Sequence, residues 1–105
     1  MKIDVTISSK NHINVGDFSS IEPSVQLTVK DVDVTKYDEV YSHLKTIVET
    51  SSALQGLSDF EEIVNMVSAK EDVKEYFRQI FKQKENIESA RMESIQHLEK
   101  IKNEI

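Results

Sequence analysis

The chain has 105 residues, no cysteine, and a net charge of −6 at pH 7 from 19 acidic and 13 basic residues. This length fits one domain, and the lack of cysteine excludes disulfides, thiolate nucleophiles and cysteine-based zinc sites. The N-terminus alternates polar and apolar residues, and no stretch approaches the roughly 20 apolar residues of a membrane span. We therefore expect a cytoplasmic protein without a signal peptide or a membrane anchor.

The first 34 residues are predicted to form a small antiparallel sheet of about three strands. Apolar and polar residues alternate over residues 3–7 and again over residues 25–29, which is typical of strands with one apolar face. Between these runs the sequence predicts a turn at residues 8–11, a short strand at residues 13–15 and a second turn or bulge at Gly16 and Asp17. Helices are expected to cover one face of this sheet.

Residues 35–70 are predicted to be helical. Thr35 and Asp38 have the spacing of a capping box, and a stripe of apolar residues at i, i+3 and i+4 follows them. We expect this helix to end near Gly56, because glycine is the usual residue just past a helix C-terminus. Ser58 and Glu61 form a second possible capping box that opens a further helical segment.

Residues 71–105 are predicted to form a long amphipathic helix, since glycine and proline are absent from residue 57 onward. At ~1.5 Å per residue it would run about 50 Å, whereas a compact chain of this size has a radius of gyration of about 13 Å. Whether residues 58–105 form two helices or one bent rod is left open, with two favoured. The chain is thus predicted to be a single α+β domain.

The second half of this last helix is predicted to contact another chain and to form a homo-oligomer. Its apolar seam is broken by polar residues, so it does not predict a strict coiled coil. The first half, up to about Phe81, is expected to pack on its own domain. The residues expected at the oligomer interface are Ile87, Arg91, Ile95, Leu98 and Ile101.

No catalytic or metal motif is found. Asp31-Val32-Asp33-Val34-Thr35 has the form of the nucleophile motif of haloacid-dehalogenase-type phosphotransferases, but those enzymes need a larger parallel α/β domain and glycine-rich loops. The histidines lack metal-ligand spacing. We therefore expect no enzyme activity, no metal and no cofactor.

A cluster of acidic residues follows the predicted last strand. We expect that strand to end at Lys30, because its continuation would place Asp31 and Asp33 on the core face of the sheet. The cluster, Asp31, Asp33, Asp38 and Glu39, is then either a solvated region or a surface that faces a basic protein partner. It lacks the glycine and the ligand spacing of a calcium loop.

The first half of the last helix is the segment to which a small anionic ligand is expected to bind. Cationic and aromatic side chains are interleaved there: Tyr76, Arg78, Phe81, Lys82 and Lys84. Most of the seven aromatic residues, however, are predicted to lie in the core. Nucleic acid is disfavoured as a partner, because the negative net charge of the chain repels a phosphate backbone.

Two sequence segments, INVGDFSSIEPSVQLTV at residues 13–29 and YDEVYSHLKTIV at residues 37–48, resemble small uncharacterised proteins of bacteriophages and prophages of Gram-positive bacteria. The resemblance implies an accessory protein that acts inside a bacterial host cell.

The leading hypothesis is therefore a non-enzymatic binding protein that occupies or inhibits a host protein, such as one of defence or replication. Two alternatives are an oligomeric protein that sequesters a small anionic nucleotide-like ligand, and a nucleic-acid-associated protein of phage replication.

Overall fold

The computed structural model describes residues 1–103, so the last two positions of the predicted final helix, Glu104 and Ile105, lie outside the described residues. The strands are β1 (Lys2–Lys10), β2 (Ile13–Gly16), β3 (Ser19–Ile21) and β4 (Ser24–Asp33). A 3₁₀ turn (Val34–Lys36) leads to the helices α1 (Tyr37–Ile63), α2 (Glu71–Lys82) and α3 (Lys84–Asn103). The predicted α+β class is confirmed.

The four strands form a long β-hairpin, with a kink in each arm, that contains two two-stranded sheets instead of the one sheet of about three strands that the sequence predicted. β1 pairs with β4 and β2 pairs with β3, both antiparallel. At the kink the Asn11 N–H donates to the Pro23 carbonyl over 3.1 Å, so the two ladders continue into each other. The turn predicted at residues 8–11 is wrong, because β1 runs to Lys10 and the chain only bends there. The chain reverses instead at Asp17 and Phe18, one residue beyond the start of the predicted second turn.

A β-bulge at Asp31 lets β4 continue to Asp33. The extra residue lies opposite Asp4, whose Oδ1 accepts the Asp31 N–H over 3.1 Å, and Asp31 has a φ of +58°. Because a bulge inserts one residue into the alternation, Val32 returns to the core face and is 5% exposed. The prediction that the strand ends at Lys30 is therefore wrong, yet neither aspartate is buried.

Helix α1 passes through Gly56 without interruption, so the predicted end at Gly56 and the predicted start at Ser58 are wrong. Gly56 is buried, and a Cβ at this position would lie 3.4 Å from Pro23 Cγ and 3.6 Å from Phe77 Cε1. Both are ordinary contact distances, so Gly56 lies where α1 packs against the hairpin and α2, inside an uninterrupted helix.

The chain after Lys70 returns along α1 in the opposite direction. Phe77 stacks on Phe60, and the Arg91 Nε donates to Ser51 Oγ over 2.8 Å. Later residues of the return segment thus contact earlier residues of α1, as in an antiparallel pair of helices. The return segment bends at Gln83, between α2 and α3. The molecule is 52 Å long and 24 Å wide. The length of the return segment, which exceeds the size of a compact chain, is thus matched by α1 lying beside it.

Two hydrophobic clusters follow one another along α1. The aliphatic cluster joins β1, β4, the first half of α1 and α3; it comprises Val5, Val32, Val40, Leu44, Ile47, Leu98 and Ile101. The aromatic cluster joins β2, β3, the second half of α1 and α2; it comprises Val15, Ile21, Leu57, Phe60, Val73 and Phe77.

Candidate functional site

The hairpin tip, Gly16–Ser19, carries the most unusual side chain of the described residues. Gly16 pairs with Ser19, and the two residues between them, Asp17 and Phe18, have φ values of +55° and +62°. Two consecutive residues at positive φ are typical of a type I′ turn, whose second position strongly favours glycine. For a bulky residue such as phenylalanine this backbone conformation is an outlier that costs about 1–2 kcal/mol.

Contacts within the chain do not offset the energetic cost of this backbone conformation at Phe18. Its relative exposure is 108%, so the ring projects fully into solvent. The sequence-based expectation that most of the seven aromatic residues lie in the core is wrong, because Phe60 and Phe77 are buried and the other five are exposed. Phe18 is the most exposed of these five. The reason is that the bulge at Val15 and Gly16 sets which residues form the turn, and the alternation of apolar residues does not reveal it.

The connection between α1 and α2 lies beside the hairpin tip. The Lys70 N–H donates to the Val15 carbonyl over 2.8 Å. A Cβ on Gly16 would lie 2.8 Å from the Ser68 carbonyl oxygen, and Gly16 has a φ of +116°, so this close approach requires glycine. Met66 in the same connection is 73% exposed. The same end of the molecule therefore exposes two large apolar side chains.

This end of the molecule is also acidic. Residues 57–75, which span the end of α1, the connection and the start of α2, contain six Asp or Glu and two Lys. Asp17 adds a carboxylate within the hairpin tip itself. One of the two lysines, Lys74, pairs with Glu71 over 3.3 Å. The segments that form this end of the molecule thus carry more acidic than basic residues.

The residues predicted to bind an anionic ligand on α2 are not gathered into one cavity. Tyr76 lines two cavities of about 300 and 470 Å³, and Arg78, Phe81, Lys82 and Lys84 line neither of them. Arg78 pairs with Glu75 on its own helix. The pKa of Glu75 is lowered by a hydrogen bond from Gln79 and by Arg78, which agrees with a satisfied exposed pair.

The residues predicted at an oligomer interface instead hold α3 on its own domain. Leu98 and Ile101 are each 8% exposed within the aliphatic cluster, and Ile95 packs against it. Arg91 donates to Ser51 as described, and Ile87 is half-buried. The assumption that this half of the helix lacks cover within the chain is wrong, because α1 and the hairpin cover it. A homo-oligomer stays a prediction.

The four predicted acidic residues have different local environments, and their role as a surface facing a basic partner stays a prediction. Asp33 Oδ1 accepts the Thr35 N–H over 3.0 Å and the Thr35 hydroxyl over 2.9 Å, and these bonds lower the pKa of Asp33. Asp33 therefore caps the 3₁₀ turn, and the predicted capping box at Thr35 is wrong. Asp38 and Glu39 are exposed in the first turn of α1.

Asp31 and Asp33 also line a cavity of about 640 Å³, which we call the lysine-lined pocket because four lysines share its wall. It lies at the other end of the molecule from the hairpin tip, where β4, the start of α1 and the end of α3 meet. The sequence did not predict this pocket, because its lysines come from both ends of the chain and are separated by up to 100 positions.

Residues 1–103 contain no group of three or more His, Asp or Glu side chains positioned to hold a metal ion. None of the helices within these residues is long and apolar enough to cross a membrane. A scan against models of protein families found no match to this chain, and searches of curated proteins and of solved structures found no similar protein.

Proposed function

We propose that the protein is a non-enzymatic binding protein that occupies a partner protein through its hairpin tip, with Phe18 as the anchoring side chain. The observation that carries the proposal is the full exposure of Phe18 in a turn that disfavours it. The conformation destabilises the folded chain, and the ring gains no burial in return. A side chain of this kind is expected to gain its burial in a complex.

The chemistry of the hairpin tip supports a protein partner. Aromatic side chains that fill a pocket at the centre of an interface contribute a large share of the binding energy, and aromatic residues and methionine are enriched at interfaces. The exposed Phe18 and Met66 and the excess of acidic residues in the segments that form this end favour a partner with an apolar pocket and a basic rim. The same charge disfavours an anionic membrane surface and nucleic acid.

The proposal is tested by comparing two single-residue variants as baits in extracts of the organism that produces the chain. Phe18→Asn keeps a residue that tolerates positive φ and removes the ring. Phe81→Ser is the matched control, because Phe81 is 61% exposed on α2 and lies outside the hairpin tip. We expect the wild type and Phe81→Ser to capture the same protein, and Phe18→Asn to lose it.

The captured protein is then purified and its affinity is measured by calorimetry. Loss of an aromatic anchor typically removes 2 kcal/mol or more, so we expect the dissociation constant to rise about 30-fold for Phe18→Asn. An unchanged dissociation constant for Phe18→Asn, with both variants folded by circular dichroism, would refute the role of Phe18.

The bacteriophage context, inhibition of a host protein and formation of a homo-oligomer remain predictions beside this proposal. The oligomer is tested by light scattering of the full chain. A version truncated after Ser94 is not suitable, because it would lack Leu98 and Ile101 of the aliphatic cluster. A concentration-independent monomer would show that the oligomer prediction is wrong.

A further inference from the structure

The lysine-lined pocket has an apolar base. Five aliphatic side chains contribute to its wall: Val29, Val32, Val40, Leu98 and Ile101. Val32, Val40, Leu98 and Ile101 are each at most 8% exposed, so they belong to the core and form a fixed surface. Its volume of about 640 Å³ lies within the range of pockets that hold small organic ligands.

The solvent side of the pocket is cationic. Lys2, Lys30, Lys36 and Lys102 share its wall with two aspartates, and all four lysines are exposed. The wall therefore has a net positive charge, whereas the whole chain has a net charge of −6. Within residues 1–103, Lys2, Lys30 and Lys102 form no ion pair with a carboxylate.

The two aspartates offset part of this positive charge, since Lys2 lies opposite Asp33 in the β1–β4 ladder and their charges interact. Asp33 Oδ1 is engaged by Thr35, and Asp31 lies in the β-bulge with its N–H bonded to Asp4. Neither carboxylate lies within 4.0 Å of a lysine nitrogen among the described ion pairs. The ammonium groups of Lys30 and Lys102 are thus available to a ligand.

We propose that this pocket binds a small amphipathic anion, with an unbranched aliphatic body on the valine and leucine base and an anionic head beside Lys30 and Lys102. The lining contains no aromatic side chain on which a nucleobase could stack, so an alkyl carboxylate fits the wall better than a nucleotide. The proposal does not depend on the hairpin tip, which lies at the opposite end of the molecule.

The test uses decanoate as the probe and calorimetry as the measurement, with the full chain. Decyltrimethylammonium has the same tail with a cationic head, and butyrate has the same head with a shorter tail. We expect decanoate to bind saturably, decyltrimethylammonium not to bind at the pocket, and butyrate to bind about a hundredfold or more weakly because it buries six fewer methylenes. Added salt should weaken the binding of decanoate.

Nonspecific attraction to an acidic protein would favour the cationic probe, so a preference for decanoate reports the local lysines. The double variant Lys30→Gln with Lys102→Gln should bind decanoate about tenfold more weakly. Lys45→Gln with Lys82→Gln removes two exposed lysines that do not line the pocket and should leave the affinity unchanged.

The site is mapped by NMR amide shifts on addition of decanoate. The proposal expects the largest shifts at residues of the pocket wall such as Val29, Val40 and Ile101. It is overturned if decanoate shows no saturable binding up to about 1 mM, if both head groups bind equally, or if the shifts cluster on α2. Because Phe18→Asn leaves this pocket intact, failure here and failure of the hairpin-tip proposal are separate results.

Discussion

The two halves of the molecule reach stability by different means. The pocket half is built on β1 and β4, which are nine and ten residues long, and its core is entirely aliphatic. The tip half is built on β2 and β3, of four and three residues, and its core includes the stacked rings of Phe60 and Phe77. It also includes a close approach at Gly16, where a Cβ would lie 2.8 Å from the Ser68 carbonyl oxygen.

The difference also extends to what each half presents to solvent. The tip half exposes the ring of Phe18 to solvent. In the pocket half the exposed apolar surface lies inside a pocket whose wall includes lysines. A short ladder contributes little buried area, so the tip half must obtain its stability from aromatic packing and close contacts. We therefore expect single substitutions to have larger effects there.

The largest effect is expected for Phe77→Ala. Phe77 is 2% exposed and its ring lies 4.5 Å from that of Phe60, so its truncation should lower the free energy of unfolding by about 3–5 kcal/mol. The measurement is urea denaturation followed by circular dichroism. Phe81→Ala, four residues along the same helix and 61% exposed, is the control and should change stability by about 0.5 kcal/mol or less. Equal effects of the two variants would contradict the described core.

A smaller effect, with opposite signs at two positions, is expected for glycine-to-alanine substitutions. Gly16→Ala should destabilise by about 2 kcal/mol, because its φ is +116° and its Cβ would meet the Ser68 carbonyl. Gly56→Ala should be neutral or stabilise by up to about 1 kcal/mol, because the Cβ has ordinary contact distances and alanine favours a helix. Thermal unfolding of both variants measures this, and destabilisation by Gly56→Ala would show that Pro23 cannot adjust.

A modest gain in stability is expected for Phe18→Gly. The substitution relieves positive φ without removing a contact, so the free energy of unfolding should rise by about 1 kcal/mol. Asp31→Gly, at the positive-φ position of the pocket half, should gain less, because aspartate tolerates this conformation. Thermal unfolding of both proteins tests the ranking. A loss of stability in Phe18→Gly would mean that the ring is packed within the chain.

The smallest effect is expected for Glu22→Gln at the kink between the two halves. A hydrogen bond from His12 over 2.8 Å, followed by the charge of Lys10, lowers the pKa of Glu22 from 4.5. A lowered folded-state pKa stabilises the protein above pH 4.5, and this contribution is lost as the pH falls through the folded-state pKa. The melting temperatures of the wild type and Glu22→Gln should therefore differ slightly at neutral pH and converge in acid. A constant difference would exclude the carboxylate as its cause.

Periodicity predicted much of this fold. The alternation around Val5 and Val29 predicted strands, and the 3.6-residue stripe from Val40 predicted α1, because these patterns record directly which face is buried. The start of a helix at Glu71 was also predicted correctly, but the single helix predicted over residues 71–105 is wrong, because the chain bends at Gln83 between α2 and α3.

The features that sequence alone did not predict depend on contacts between distant segments. Gly56 is read as a helix end unless its contacts with Pro23 and Phe77 are known. Leu98 and Ile101 are read as unpartnered until the length of α1 is known. Phe18 is read as a core residue until the register of β2 and β3 places it in the turn. The candidate site was missed for this last reason.

The bulge at Asp31 gives β4 a spacing of core residues by which related proteins could be recognised. Because one extra residue stands between two stretches of β4, core positions in this strand are spaced by two residues up to Val29 and by three from Val29 to Val32. Loss of one residue here would move Val32 to the outer face and displace the cap at Asp33. Divergent proteins of this architecture should thus retain that change of spacing after their other sequence similarity is lost.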